Sequence, residues 1–153
     1  MKAFKAEKEV RRFNLRFNAS AEVIFPLLCP EREKEWIPGW EYEMIYSKSG
    51  LIEEGCVFKT YEYEVETIWL VAKHDQNKKE ILFIQFAKDL IIAEFSVVLS
   101  ENEAETTDAA VQYIYTPLNK EGKEYIDREL SQEILDEEMG KMEMVMNYYL
   151  QNS

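Results

Sequence analysis

The chain has 153 residues, 46% hydrophobic and 13% aromatic, which is the usual size of one domain and excludes a disordered chain, because enough apolar surface is available to offset the entropy of ordering. A formal net charge of −12 repels phosphate backbones and anionic headgroups and so argues against nucleic acid as a partner. Cys29 and Cys56 belong to no CxxC or Cys/His pattern, which leaves no zinc site or disulfide framework to build and fits a reducing cytoplasm.

The N-terminal basic residues Lys2, Lys5, Lys8, Arg11 and Arg12 are interleaved with Glu7 and Glu9 and read as a solvated edge. No apolar stretch of secretory type opens the chain, and no apolar run reaches the ~20 residues needed to span a bilayer. The expectation is a soluble cytoplasmic protein, monomer or homodimer, forming a single domain over 1–153.

From Val10 to Phe17 the residues alternate, Phe13, Leu15 and Phe17 against Arg12, Asn14 and Arg16, which predicts a half-buried strand. Asn18-Ala-Ser20 supplies capping side chains for a short helix at 21–25, which Pro26 and Pro30 keep brief. A second helical turn, from Glu31 to Trp36, ends at Pro38-Gly39. Period-two patterning then predicts six strands near 41–47, 56–62, 66–74, 80–87, 91–99 and 105–116. Turn chemistry at Ser47-Lys-Ser-Gly50, Glu53-Glu-Gly55, His74-Asp-Gln-Asn-Lys78, Lys88-Asp89 and Ser100-Glu-Asn-Glu103 separates them. Loops this short make neighbouring strands antiparallel.

The segment from Asn119 to Leu150 lacks proline and is rich in Glu, Lys, Leu and Met, so it predicts one helix of ~45–50 Å. Ile126, Leu130, Ile134, Leu135, Met139, Met142, Val145, Met146 and Tyr149 form an apolar stripe along it that a sheet must cover. Heptads with e/g charges, the mark of a coiled coil, are absent.

The order of strand, two short helices, six-stranded meander and C-terminal helix resembles the START-like (SRPBCC) superfamily over essentially the whole chain. Leu27-Leu-Cys-Pro-Glu-Arg-Glu-Lys-Glu-Trp-Ile-Pro-Gly-Trp40, Ser47-Lys-Ser-Gly50, Gly55-Cys-Val-Phe58 and Thr116-Pro-Leu are similar to a bacterial branch of it without assigned activity. The resemblance implies an α+β helix-grip fold: a curved antiparallel sheet of about seven strands around a long C-terminal helix, with small apolar molecules held between them. A superfold of this kind does not name a substrate.

On that fold, alternation turns Tyr42, Met44 and Tyr46 inward against Glu41 and Glu43. It does the same for Ala93, Phe95, Val97 and Leu99, and for Ala109, Val111, Tyr113 and Tyr115. Trp69 and Phe83 are assigned to the same wall. Such a lining suits a flat, mostly apolar ligand bearing an oxygen or two; the same tyrosines would equally fill an ordinary core. Met139, Met142 and Met146 suit a deformable wall, and their spacing equally predicts core packing. Gly140 marks a close approach of the sheet, a bend at the cavity mouth or a surface position.

The only histidine, His74, falls in a predicted exposed turn with no nucleophile near it. Glu31, Glu33 and Glu35 sit near the short helices, where a general acid or base is conceivable but a solvated face suffices. Trp36 and Trp40 bracket Ile37-Pro-Gly39 and are expected to plug one end of the grip, with the Leu51-to-Gly55 turn completing any gate. No glycine-rich phosphate loop is present, so no nucleotide, flavin or metal is expected. Three functions remain open: a carrier or sensor of a small hydrophobic molecule, a cyclase- or dehydratase-like enzyme using a Tyr or Glu at the cavity mouth, and a protein-interaction module resembling the chaperone-activating members.

Overall fold

A computed structural model describes residues 3–62, 65–102 and 104–153. Lys2 of the basic cluster and Glu103 of the last predicted turn lie outside the described residues. The strands are β1 (Glu9–Phe17), β2 (Glu43–Tyr46), β3 (Val57–Glu62), β4 (Val65–Asp75), β5 (Glu80–Ala87), β6 (Ile91–Glu101) and β7 (Thr107–Pro117). Helices α1 (Ala21–Leu27) and α2 (Pro30–Glu33) follow β1, and α3 (Lys120–Glu129) and α4 (Gln132–Gln151) follow β7. All strand pairs are antiparallel, in the order β1-β7-β6-β5-β4-β3-β2.

The meander from β2 to β7 is sequential because its connections are short. Strand β1 closes the far side against β7, with Phe13 opposite Val111 and Leu15 opposite Ala109. The concave face carries the core: Phe58, Val71, Ile81, Ala93, Ala109 and Tyr115 are all buried there, and Leu135, Met146 and Ile126 cover them from the helical side. Ala93, Val97, Leu99, Ala109, Val111 and Tyr115 therefore face inward, as their alternation predicts.

Three expectations are corrected. The C-terminal segment is two helices, because Leu130 leaves helical geometry (φ −125°, ψ 34°) and Ser131 is extended (φ −68°, ψ 158°). The Ser131 hydroxyl accepts a hydrogen bond from the Ile134 amide at 3.2 Å, so the serine starts a new helix as an N-cap. Asn119 does the same for α3, accepting from the Gly122 amide at 2.7 Å.

Tyr46 points outward and is 58% exposed. The register shifts between Met44 and Tyr46, setting Met44 opposite Phe58 and Tyr46 opposite Val57; this bulge inverts the alternation after Met44.

His74 is not in an exposed turn. A second register shift, between Val71 and Lys73, puts His74 opposite the buried Ile81. Its ring lies 4.9 Å from that of Phe25, and burial pushes its pKa below the ordinary histidine range.

Gly140 is exposed, and a Cβ built there would meet nothing within 4 Å, so it is a surface position. The close approach belongs to Gly122, where a Cβ would stand 1.9 Å from the Leu90 carbonyl oxygen. Around that contact the Leu118 amide donates to Leu90 O at 2.9 Å and Asn119 Nδ2 donates to Asp89 O at 2.7 Å. The start of α3 is thereby fixed to the β5–β6 turn.

Candidate ligand-binding cavity

Between the concave face and α4 lies a cavity of about 420 Å³, within the size range of small-molecule sites. The sheet contributes Thr67, Gln85, Ala87, Ile91, Tyr113 and Tyr115; the helices contribute Tyr125, Leu135, Glu138, Met139, Lys141, Met142 and Val145; Ile37 and Pro38 border it from the loop after α2. A smaller chamber of about 130 Å³ lies deeper, lined by Phe58, Trp69, Phe83, Phe95, Tyr113, Trp36, Trp40, Glu33, Met139 and Met142 among others. Tyr113, Met139 and Met142 border both spaces.

The deep wall is a ladder of rings set by strand register. Phe83 faces Phe95 across β5 and β6, and Phe95 faces Tyr113 across β6 and β7. Their centroids are 5.5 Å and 4.3 Å apart, with the Phe95 and Tyr113 planes inclined by 5°. Phe58 stacks on Trp69 at 5.2 Å, and the Trp69 indole donates to Thr60 Oγ1 at 2.9 Å. Offset aromatic contacts of this kind stiffen the wall beyond simple area burial.

The loop over the deep chamber is tied at both ends. Trp36 Nε1 donates to Leu27 O at 2.9 Å and Trp40 Nε1 donates to Pro30 O at 2.8 Å. The Tyr42 hydroxyl donates to Glu31, and burial followed by that bond raises the phenol's pKa. The Tyr149 hydroxyl, on α4, donates to Glu35 Oε1 at 2.8 Å, while Arg32 also bonds Glu35. Arg32 first and Tyr149 second hold the Glu35 carboxyl below its usual range. The three glutamates thus differ: Glu31 and Glu35 tie the loop down, and Glu33 borders the deep chamber.

The outer cavity has a polar side. Glu138 is half-buried at its edge, and desolvation raises its pKa against the opposing pull of Lys141. Across from it, Thr67 and Gln85 are 4% and 8% exposed on the concave face. Among the described residues, no cluster of three or more His, Cys, Asp and Glu could hold a metal ion, and no helix is long and apolar enough to cross a membrane.

Of the residues picked from sequence, Trp69, Phe83 and Phe95 line the deep chamber, Tyr115 the outer one, and Tyr113, Met139 and Met142 both. Tyr42 borders a separate groove beside Met142. Met44 is packed partly buried against the core, with its sulfur 3.6 Å from Cys56 Sγ. Tyr46 is outside altogether.

Sequence reasoning missed Thr67, Gln85, Tyr125, Glu138 and Lys141. Gln85 lies in phase with the buried Ile81, Phe83 and Ala87, and Thr67 with Trp69 and Val71. Glu138 stands three residues after Leu135 and four before Met142, on the apolar stripe itself. A polar residue in phase with a core stripe was the available signal.

No family model and no curated protein sequence matches the chain. Solved structures are similar in fold. Norcoclaurine synthase from Thalictrum flavum, in complex with dopamine and hydroxybenzaldehyde, superposes with a TM-score of 0.71 at 12% identity, covering 96% of this chain and 88% of that one. An uncharacterized protein from Rhizobium leguminosarum gives 0.69 at 12% identity, covering 97% and 98%. Ara h 8.0201 gives 0.66 at 13% identity, covering 95% and 99%. Identities this low speak for architecture alone, and the architecture they share with this chain is the START-like helix-grip fold.

Proposed function

We propose that the protein binds a small, mostly apolar molecule between the concave sheet and α4, as a carrier or sensor in the cytoplasm. The observation that carries this reading is the cavity of about 420 Å³, which shares Tyr113, Met139 and Met142 with a deeper chamber of about 130 Å³ walled by the ring ladder from Phe83 to Tyr113. A ligand of that volume replaces water against apolar walls, and the phenols and the Glu138 side give it an orientation. A closed interaction module predicts no space of ligand size, so the cavity favours binding. The Leu27-to-Trp40 segment supports placing the chain, as one domain, in the bacterial branch it resembles.

The test is titration with the neutral fluorescent probe N-phenyl-1-naphthylamine. Uptake with fluorescence enhancement is expected, and Met142→Trp, which fills the space where both chambers meet, should abolish it. A folded wild-type protein that takes up neither this probe nor any other apolar fluorophore would sink the reading.

A second reading has one observation in its favour. Glu138 is a carboxyl at the cavity edge whose pKa is raised by burial, the environment that suits a general acid or base. In that case the bound molecule is a substrate that exchanges a proton with Glu138, and Glu138→Gln abolishes turnover while leaving probe uptake intact.

A further inference from the structure

Besides the phenols of Tyr115 and Tyr125, Gln85 and Thr67 are buried polar side chains of the outer cavity, at 8% and 4% exposure. They sit on the same face of adjacent strands, since Gln85 pairs with Trp69 and Thr67 with Ala87. Thr60, the next polar residue along this band, pairs with Thr67 and accepts the Trp69 indole hydrogen. The buried side-chain atoms left without a partner among the described residues are Glu9 Oε2, Asn102 Nδ2 and Thr106 Oγ1; Gln85 and Thr67 are not among them and line the cavity. Strands at this depth ordinarily carry apolar residues, and polar ends that open on such a space suit an occupant that can hydrogen-bond.

From this we infer that Gln85 and Thr67 are the polar anchor of the ligand, and that the ligand is a flat, neutral molecule carrying a hydrogen-bond donor and an acceptor side by side on one edge, as a lactam or a primary carboxamide does. The inference rests on the cavity being a binding site. The Gln85 amide offers both a donor and an acceptor, and the Thr67 hydroxyl one of each. A donor–acceptor edge satisfies the amide pairwise, while the ligand's ring system lies towards Tyr113, Met139 and Met142, which border both chambers. A purely aliphatic chain would offer neither side chain a hydrogen bond. An anionic headgroup would find Lys141 at the cavity, but beside it Glu138 and a chain of net charge −12.

The experiment compares 2-quinolone with naphthalene, which has nearly the same outline without the lactam edge, as competitors for bound N-phenyl-1-naphthylamine. With the wild type, 2-quinolone is expected to displace the probe at roughly ten-fold lower concentration, because a site built for a polar edge rejects the analogue that lacks it. Gln85→Leu should remove that advantage and leave naphthalene unchanged. Thr67→Val, nearly isosteric, should reduce the advantage and serves as the second variant should Gln85→Leu fold poorly.

Equal competition by the two compounds in the wild type, or a lactam advantage that survives both substitutions, would overturn the anchor while the cavity reading stands. A folded wild type that does not bind the probe or either compound overturns both.

Discussion

The Gly122 Cα faces the Leu90 carbonyl so closely that a methyl group built on it would stand 1.9 Å from the oxygen. The contact joins the first turn of α3 to the β5–β6 turn, where Lys88 and Asp89 hold positive φ angles of 33° and 56°. The obstacle is backbone, which cannot swing away as a side chain does.

Gly122→Ala therefore destabilises the protein, although alanine is the better helix former. Overpacking against a rigid neighbour costs about 1–3 kcal/mol, and chemical denaturation reads it as a lower midpoint with an unchanged slope. Gly140→Ala is the contrast: an exposed helical position with open space around it gains up to about 1 kcal/mol.

Two tyrosines on distant strands, Tyr115 on β7 and Tyr46 on β2, should behave oppositely. Tyr115 is 2% exposed and Tyr46 is 58% exposed. Tyr115→Ala is expected to cost about 3–5 kcal/mol, the range for a large buried aromatic. Tyr46→Ser should stay within about 0.5 kcal/mol. Comparable losses at both sites in thermal unfolding would contradict the bulge between Met44 and Tyr46.

The bond from Tyr149 to Glu35 ties the loop over the deep chamber to α4. Tyr149→Phe removes it at little cost to stability, about 0.5–1.5 kcal/mol, because this bond to a carboxylate is exposed and screened by solvent. Stopped-flow mixing with N-phenyl-1-naphthylamine should then show faster uptake and release with a nearly unchanged equilibrium affinity. Unaltered rates would mean that ligands enter elsewhere.

Burial shifts His74 and Glu138 in opposite directions, which gives them opposite pH signatures. Burial lowers the His74 pKa below its unfolded value of 6.5, so the unfolded chain binds more protons in between. Stability from the neutral imidazole is present above that value and is lost as pH falls through the folded pKa. Replacing His74 with Phe should flatten this acid-side loss.

Burial raises the Glu138 pKa above its unfolded value of 4.5, so here the folded chain binds more protons. The contribution is fully present below pH 4.5 and is lost as pH rises through the folded pKa. Glu138→Gln should be more stable than wild type at neutral pH, with the difference shrinking on acidification. A pH-independent difference would mean that Glu138 is fully solvated.

Much of the architecture was legible because side-chain periodicity is a local property. Alternation located the strands to within a few residues, the short turns made the sheet antiparallel, and the apolar stripe marked the face of α4 that meets it. The inward set on β6 and β7 followed from Glu94, Ser96, Asp108 and Gln112 alone. What local pattern could not carry was any point where register or cooperativity intervened: the bulges that turned Tyr46 out and His74 in, and the cap by which Ser131 divides the helical segment.

The sequence by itself determined the fold class and the inward faces of β6 and β7, since burial of alternating and helical stripes admits few arrangements. Only the tertiary structure decided which polar side chains share the cavity. Gln85, Thr67 and Glu138 are far apart in sequence, and they meet because strand pairing and the placement of α4 bring three separate elements to one space.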